Sequence, residues 1–145
     1  MNYLYVLLRN DLPSLKVGNS LAMSGHAASL FASKCFSTIA YKQWAGPIGF
    51  GTQINLVGGL EEITAVIQNM QIMEEEYEWL YDPTYAYQVD AEIYPLIQRS
   101  HHTAPAIYNP ETKMWRCYRH QLVGAYVFGD PEVLKPHFTT LKMAG

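Results

Sequence analysis

Lys16-Val17-Gly18-Asn19-Ser20 stands between an apolar segment that ends at Leu8 and a helical pattern that follows. The first turn of a helix carries N–H groups without intrahelical partners and the positive end of the helix dipole, so it holds anions well. Gly18 lets an anionic group approach the backbone, Asn19 and Ser20 offer side-chain hydrogen bonds, and Lys16 offers a charge. Ordinary capping by Asn19 or Ser20 is the competing explanation. Neither GxGxxG nor GxxxxGK[ST] occurs, and the glycines at 46, 49 and 51 match neither pattern.

Other residues have types suited to chemistry. Asp90 and Glu92 are two apart in a segment that alternates like a strand, so they share a face, and Tyr94 continues the row. A carboxylate at a strand end suits acid/base work or the orientation of a ligand. His26 lies further along the first helix, but Ser24 points away from it, and no GxSxG turn is present. The adjacent His101 and His102 have no third ligand at metal spacing, so no metal site is expected. Tyr77, Trp79, Tyr81, Tyr85 and Tyr87 form an odd-numbered aromatic set. Such residues stack on nucleobases, although a core or dimer contact is their commoner use.

The elements that must position these residues follow from pattern. Tyr3 to Leu8 is apolar on both faces and reads as a strand in the middle of a sheet. Gly18 to Lys34 reads as a helix, with one stripe of Leu21, Ser24, Ala28 and Phe31 and a second of the small residues Ala22, Gly25, Ser29 and Ala32. Trp44 to Gly51 reads as a loop, Thr52 to Val57 as a strand, and Leu60 to Met73 as a helix with Glu61 and Glu62 in its first turn. Glu74-Glu75-Glu76 reads as a solvated face. Tyr85 to Glu92 and His120 to Phe128 read as strands, with an irregular stretch from Pro95 to Arg116 between them. A short apolar set closes the chain. The expectation is an α/β fold: one layered domain over 1–145, with about four strands in a mixed sheet flanked by helices.

Composition narrows the function. At 145 residues the chain can bury a core without staples. Ten basic residues against thirteen acidic ones give a net charge of −3, poor equipment for a nucleic-acid backbone, so tRNA is disfavoured as a partner. Cys35 and Cys117 form no framework and read as reduced thiols. No run of apolar residues is long enough to span a membrane, and no leader pattern is seen. A cytoplasmic protein is expected, without a cofactor.

The stretch from Arg9-Asn10-Asp11-Leu12 to Gly25-His26-Ala27-Ala28 resembles the type-II peptidyl-tRNA hydrolase family. Its members open with a strand, an Arg-x-Asp-Leu turn, a Gly-Lys helix start and a Ser-His-Ala-Ala segment. Thr52–Val57 with the Leu60 helix is similar to the family's second strand and acidic helix. Val89-Asp90-Ala91 is similar to its Asp-Ala-Gly turn, and Leu122 to Pro131 to its last strand and closing turn. Leu141-Lys142-Met143 resembles its C-terminal Leu-Lys-Leu. Differences mark a divergent member. Aligned on His26, Asn19 stands at the family's helix-start lysine, and Glu92-Ile93-Tyr94 replaces its Gly-Arg-Thr. The resemblance, shared with an uncharacterised sister family, implies the hydrolase-type fold.

The leading expectation is a small anionic, nucleotide-like ligand. Gly18, Asn19 and Ser20 would take its anion, Asp90 would orient it, and Tyr94 or Tyr85 would stack on it. The alternative that the resemblance implies is an esterase releasing peptide from tRNA. Asp90 would act on water there, Lys16 would replace the missing lysine, and His26 is a further catalytic candidate. A homodimeric interaction module is the third reading, and a homodimer is the expected assembly.

Overall fold

Tyr3–Arg9 (β1) is buried along almost its whole length, and each of its faces meets a different helix. The computed structural model describes residues 1–12, 17–90 and 103–144; the side chains of 17–19, 82–90, 103–107 and 116–121 lie outside that description. The other elements are Val17–Cys35 (α1), Ile39–Ala45 (α2), Gln53–Gly58 (β2), Leu60–Met73 (α3), Glu76–Asp90 (β3), Thr103–Asn109 (β4), Met114–Gly129 (β5), Pro131–Leu134 (α4) and Lys142–Met143 (β6). Two short 3-10 turns, Gly46–Ile48 and Lys135–Phe138, complete them.

The sheet is mixed, which confirms the α/β class, but among the described residues it has six strands rather than about four, in the order β3-β5-β1-β2-β6 with β4 beside β5. β1 runs parallel to β2 and antiparallel to β5. The chain forms two compact units, residues 1–80 with 123–145, and residues 81–122.

In the first unit, the period of two along β1 sorts the core. Leu4, Val6 and Leu8 pack with Met23, Ala27 and Phe31 of α1 and with Tyr126 and Phe128 of β5. Tyr5 and Leu7 pack with Ile63, Val66, Ile67 and Met70 of α3 and with Leu134 and Phe138. The register matches: Val6 stands opposite Asn55 and Tyr126, and Leu7 opposite Leu56 and Ala125. Helices therefore cover both faces of β1. The apolar spacing expected for α3 is the spacing observed, since Ile63, Val66, Ile67 and Met70 are its buried residues.

Several expectations need correction. β3 begins at Glu76 rather than Tyr85, and β5 at Met114 rather than His120. The stretch from Pro95 to Arg116, expected to be irregular, contains β4 and the start of β5. In the second unit these two form a hairpin, Asn109 opposite Met114, with a bulge between Ala104 and Ile107. Lys113, at φ 56°, closes its turn, and the Tyr108 and Trp115 rings pack at a 45° tilt with centroids 5.1 Å apart. Trp44 and Ala45 end helix α2 rather than opening a loop.

The acidic run at 74–76 hides the start of β3, because three adjacent carboxylates read as solvated. Only Glu74 is exposed, and it caps α3 in a left-handed conformation. Glu76 turns inward, accepting a 2.8 Å hydrogen bond from the buried Tyr126 hydroxyl and pairing with Lys34 at 3.1 Å. Lys34, in the last turn of α1, also reaches Glu78 at 2.8 Å. Tyr77 and Trp79, on the opposite face of β3, join the α3-side core.

Candidate functional site at the carboxyl ends of β1 and β2

The chain leaves β1 at Arg9 and β2 at Gly58, which stand opposite each other in register. Ligands of open α/β sheets commonly sit beyond such parallel strand ends. From here α1 follows β1 on one face and α3 follows β2 on the other, so each exit leads into a helix N-terminus.

The α3 start is neutralised from within the chain. Asp11 Oδ2 accepts the Leu60 backbone N–H at 3.2 Å. Arg9 holds the same carboxylate, Nε to Oδ1 at 2.9 Å and Nη2 to Oδ2 at 3.3 Å. The Arg9 hydrogen bond, helped by the Leu60 N–H, keeps the Asp11 carboxyl below its ordinary value against a smaller opposing effect of burial. Glu62 Oε1 accepts the Gly59 N–H at 3.4 Å, and Glu61 joins it in the first turn. The Arg-Asn-Asp turn thus joins the end of β1 to the start of α3, and the Asn10 N–H adds a 2.9 Å bond to the Gly58 carbonyl.

The α1 start is different in kind. Its first turn holds no acidic residue. Gly18, Asn19 and Ser20 share that turn, as the sequence implies, and Ser20 is half-buried. One turn on, Ser24 is buried and faces β2. Its Oγ donates to Asn55 Oδ1 at 3.1 Å and accepts from Gln53 Nε2 at 2.9 Å; Gln53 Nε2 also reaches Asn55 Oδ1 at 3.1 Å. No histidine belongs to this trio, and His26 is exposed on α1.

Tyr85 and Asp90 are on β3 in the second unit, whereas Gly18–Ser20 belong to the first. Lys16, Glu92, Tyr94, His101 and His102 lie outside the described residues. Among the described residues no cluster of three metal-type ligands occurs, and no helix is long and apolar enough to cross a membrane.

Sequence reading missed Arg9–Asp11 as a cap and missed the Ser24–Gln53–Asn55 trio. The signal for the trio was present. Alternation in Thr52–Val57 puts Gln53 and Asn55 on the face of Val57, beneath the Ser24 stripe of α1. Cys35, buried at the end of α1, is free. Burial and the neighbouring Glu76 carboxylate push its thiol up, so it is a poor nucleophile.

No protein-family model matches the chain, and no curated protein matches it. Among solved structures it is similar to Atu0240, a protein of unknown function from Agrobacterium tumefaciens strain C58. The identity is 16%, the TM-score 0.58, and the match covers 99% of this chain and 98% of the other. At that identity the likeness is one of fold.

Proposed function

We propose that this chain binds a small anionic, nucleotide-derived ligand at the start of α1, on a divergent fold of the type-II peptidyl-tRNA hydrolase kind. One contrast carries the reading. Two helices follow the strands of a parallel pair, and among the described residues carboxylates serve only the start of the second. Asp11, Glu61 and Glu62 serve α3, while the first turn of α1 has Gly18, Asn19 and Ser20 and no acid. A helix start without its own carboxylate favours an external anion.

Ser20 adds a side-chain donor, and the Ser24–Gln53–Asn55 network anchors the next turn of α1 to β2. The net charge of −3 favours a small ligand over tRNA.

The test is calorimetric titration of the purified chain with a panel of nucleoside mono- and diphosphates, alongside a peptidyl-tRNA cleavage assay at low salt. Saturable binding that is lost in Gly18→Val with Asn19→Ala, without turnover, supports the proposal. Turnover that disappears in Asp90→Ala would replace it with the esterase, in which Lys16 takes the missing lysine's part.

A further inference from the structure

About two turns along α1 from Ser20, the first unit has an open cleft of about 370 Å³. Ala28 and Ala32 of α1 form one wall, Tyr41, Trp44 and Phe50 supply rings, and Gln53 closes the side toward Ser24. That volume lies within the usual range for small-molecule sites, roughly 300–1,000 Å³.

The rings have different backing. Tyr41 and Trp44 are set by the core, with centroids 5.3 and 5.2 Å from Phe31 and 5.6 Å from each other. Phe50 is 65% exposed. Its loop is nevertheless fixed at the base. Trp44 Nε1 donates to the Thr52 carbonyl at 2.9 Å. Gly51 lies so close to Trp44 that a methyl there would strike its carbonyl and ring, and Gly49 takes φ 90°, which favours glycine. The fold thus holds an aromatic ring in water beside two buttressed rings, at a cost in apolar exposure.

Gln53 supplies the polar group. Its Nε2 is committed to Ser24 and Asn55, which directs the amide oxygen away from that pair, and among the described residues nothing donates to this oxygen. A planar ring with an amino group answers both features: its face stacks on the aromatics and its N–H donates to Gln53 Oε1. The geometry points to this cleft as a binding site for an amino-bearing heterocycle of the adenine type. It requires no anion at the start of α1.

Adenosine, which carries no phosphate, is titrated into the full chain by calorimetry up to ~1 mM, a weak but measurable range. The expected result is saturable binding that weakens roughly tenfold in Phe50→Ala, through lost stacking. Purine riboside, with hydrogen in place of the amine, binds about tenfold more weakly than adenosine, through the lost donor. Phe50 is exposed, so circular dichroism of the variant should match the parent. No saturable binding, or equal affinity in Phe50→Ala, overturns the site. Equal affinity for purine riboside overturns the amino-bearing class of ligand.

Discussion

Helices α1 and α3 each follow one strand of the parallel β1–β2 pair, yet their first turns differ. α3 receives Asp11 from another element and two glutamates from its own first turn. α1 receives no acid in its first turn. Asp11 is also fixed by Arg9, whose side chain is only 12% exposed, so that carboxylate is held in place rather than swinging in water. The difference teaches that one helix start is a structural joint, while the other carries no carboxylate of its own.

The largest expected effect comes from damaging the proposed binding end. Gly18→Val combined with Asn19→Ala should weaken nucleotide binding roughly a hundredfold, the upper range for one charge-assisted contact. The denaturation midpoint should barely move, because valine in a helix is no worse than glycine. Titration calorimetry beside urea unfolding measures both, and a large stability loss with unchanged affinity would erase the contrast.

Next comes the joint. Asp11→Ala should cost about 1–2 kcal/mol in unfolding free energy, through the lost cap and the stranded Arg9. Ligand affinity at α1 should stay as it was. A loss of affinity without a loss of stability would mean that Asp11 serves the ligand instead.

The joint also predicts a pH dependence. The folded Asp11 carboxyl lies below its ordinary value, chiefly through Arg9. Its contribution is therefore fully present above the unfolded value, about 3.9. It is lost as pH falls through the lower folded value. The stability gap between the parent and Asp11→Asn should be constant near neutrality and close progressively below about pH 4. Urea unfolding at several pH values reads this directly, and a gap that widens in acid would refute the assignment.

The smallest effect would make the two starts alike. Ser20→Glu places an acid in the first turn of α1 and should stabilise the helix by about 0.3–1 kcal/mol. The same change should repel an anionic ligand. A thermal shift upward together with weaker nucleotide binding would sharpen the comparison.

How much of this was legible depended on whether the deciding contact was local. The buried strand at Tyr3–Leu8, the strand from Gln53 and the α3 helix follow from spacing within a few residues. Glycine, asparagine and serine at the start of α1 were also readable, since a helix start is a local event. β4 was missed because Pro105 and the polar residues around it break the alternation a strand normally shows. The early start of β3 was missed because Glu76 and Glu78 look solvated until Lys34 and Tyr126 are known to stand beside them.

The sequence by itself determined the α/β class, the core faces of β1 and α3 and the acid-free first turn of α1. Each is fixed by side-chain periodicity or by composition within one element. Only the tertiary structure decided that Asp11 caps a helix beginning at Leu60, that Gln53 and Asn55 meet Ser24 and that Glu76 receives Tyr126. Those partners are distant along the chain. They meet because strand register and helix placement bring them together, and no local pattern encodes that register.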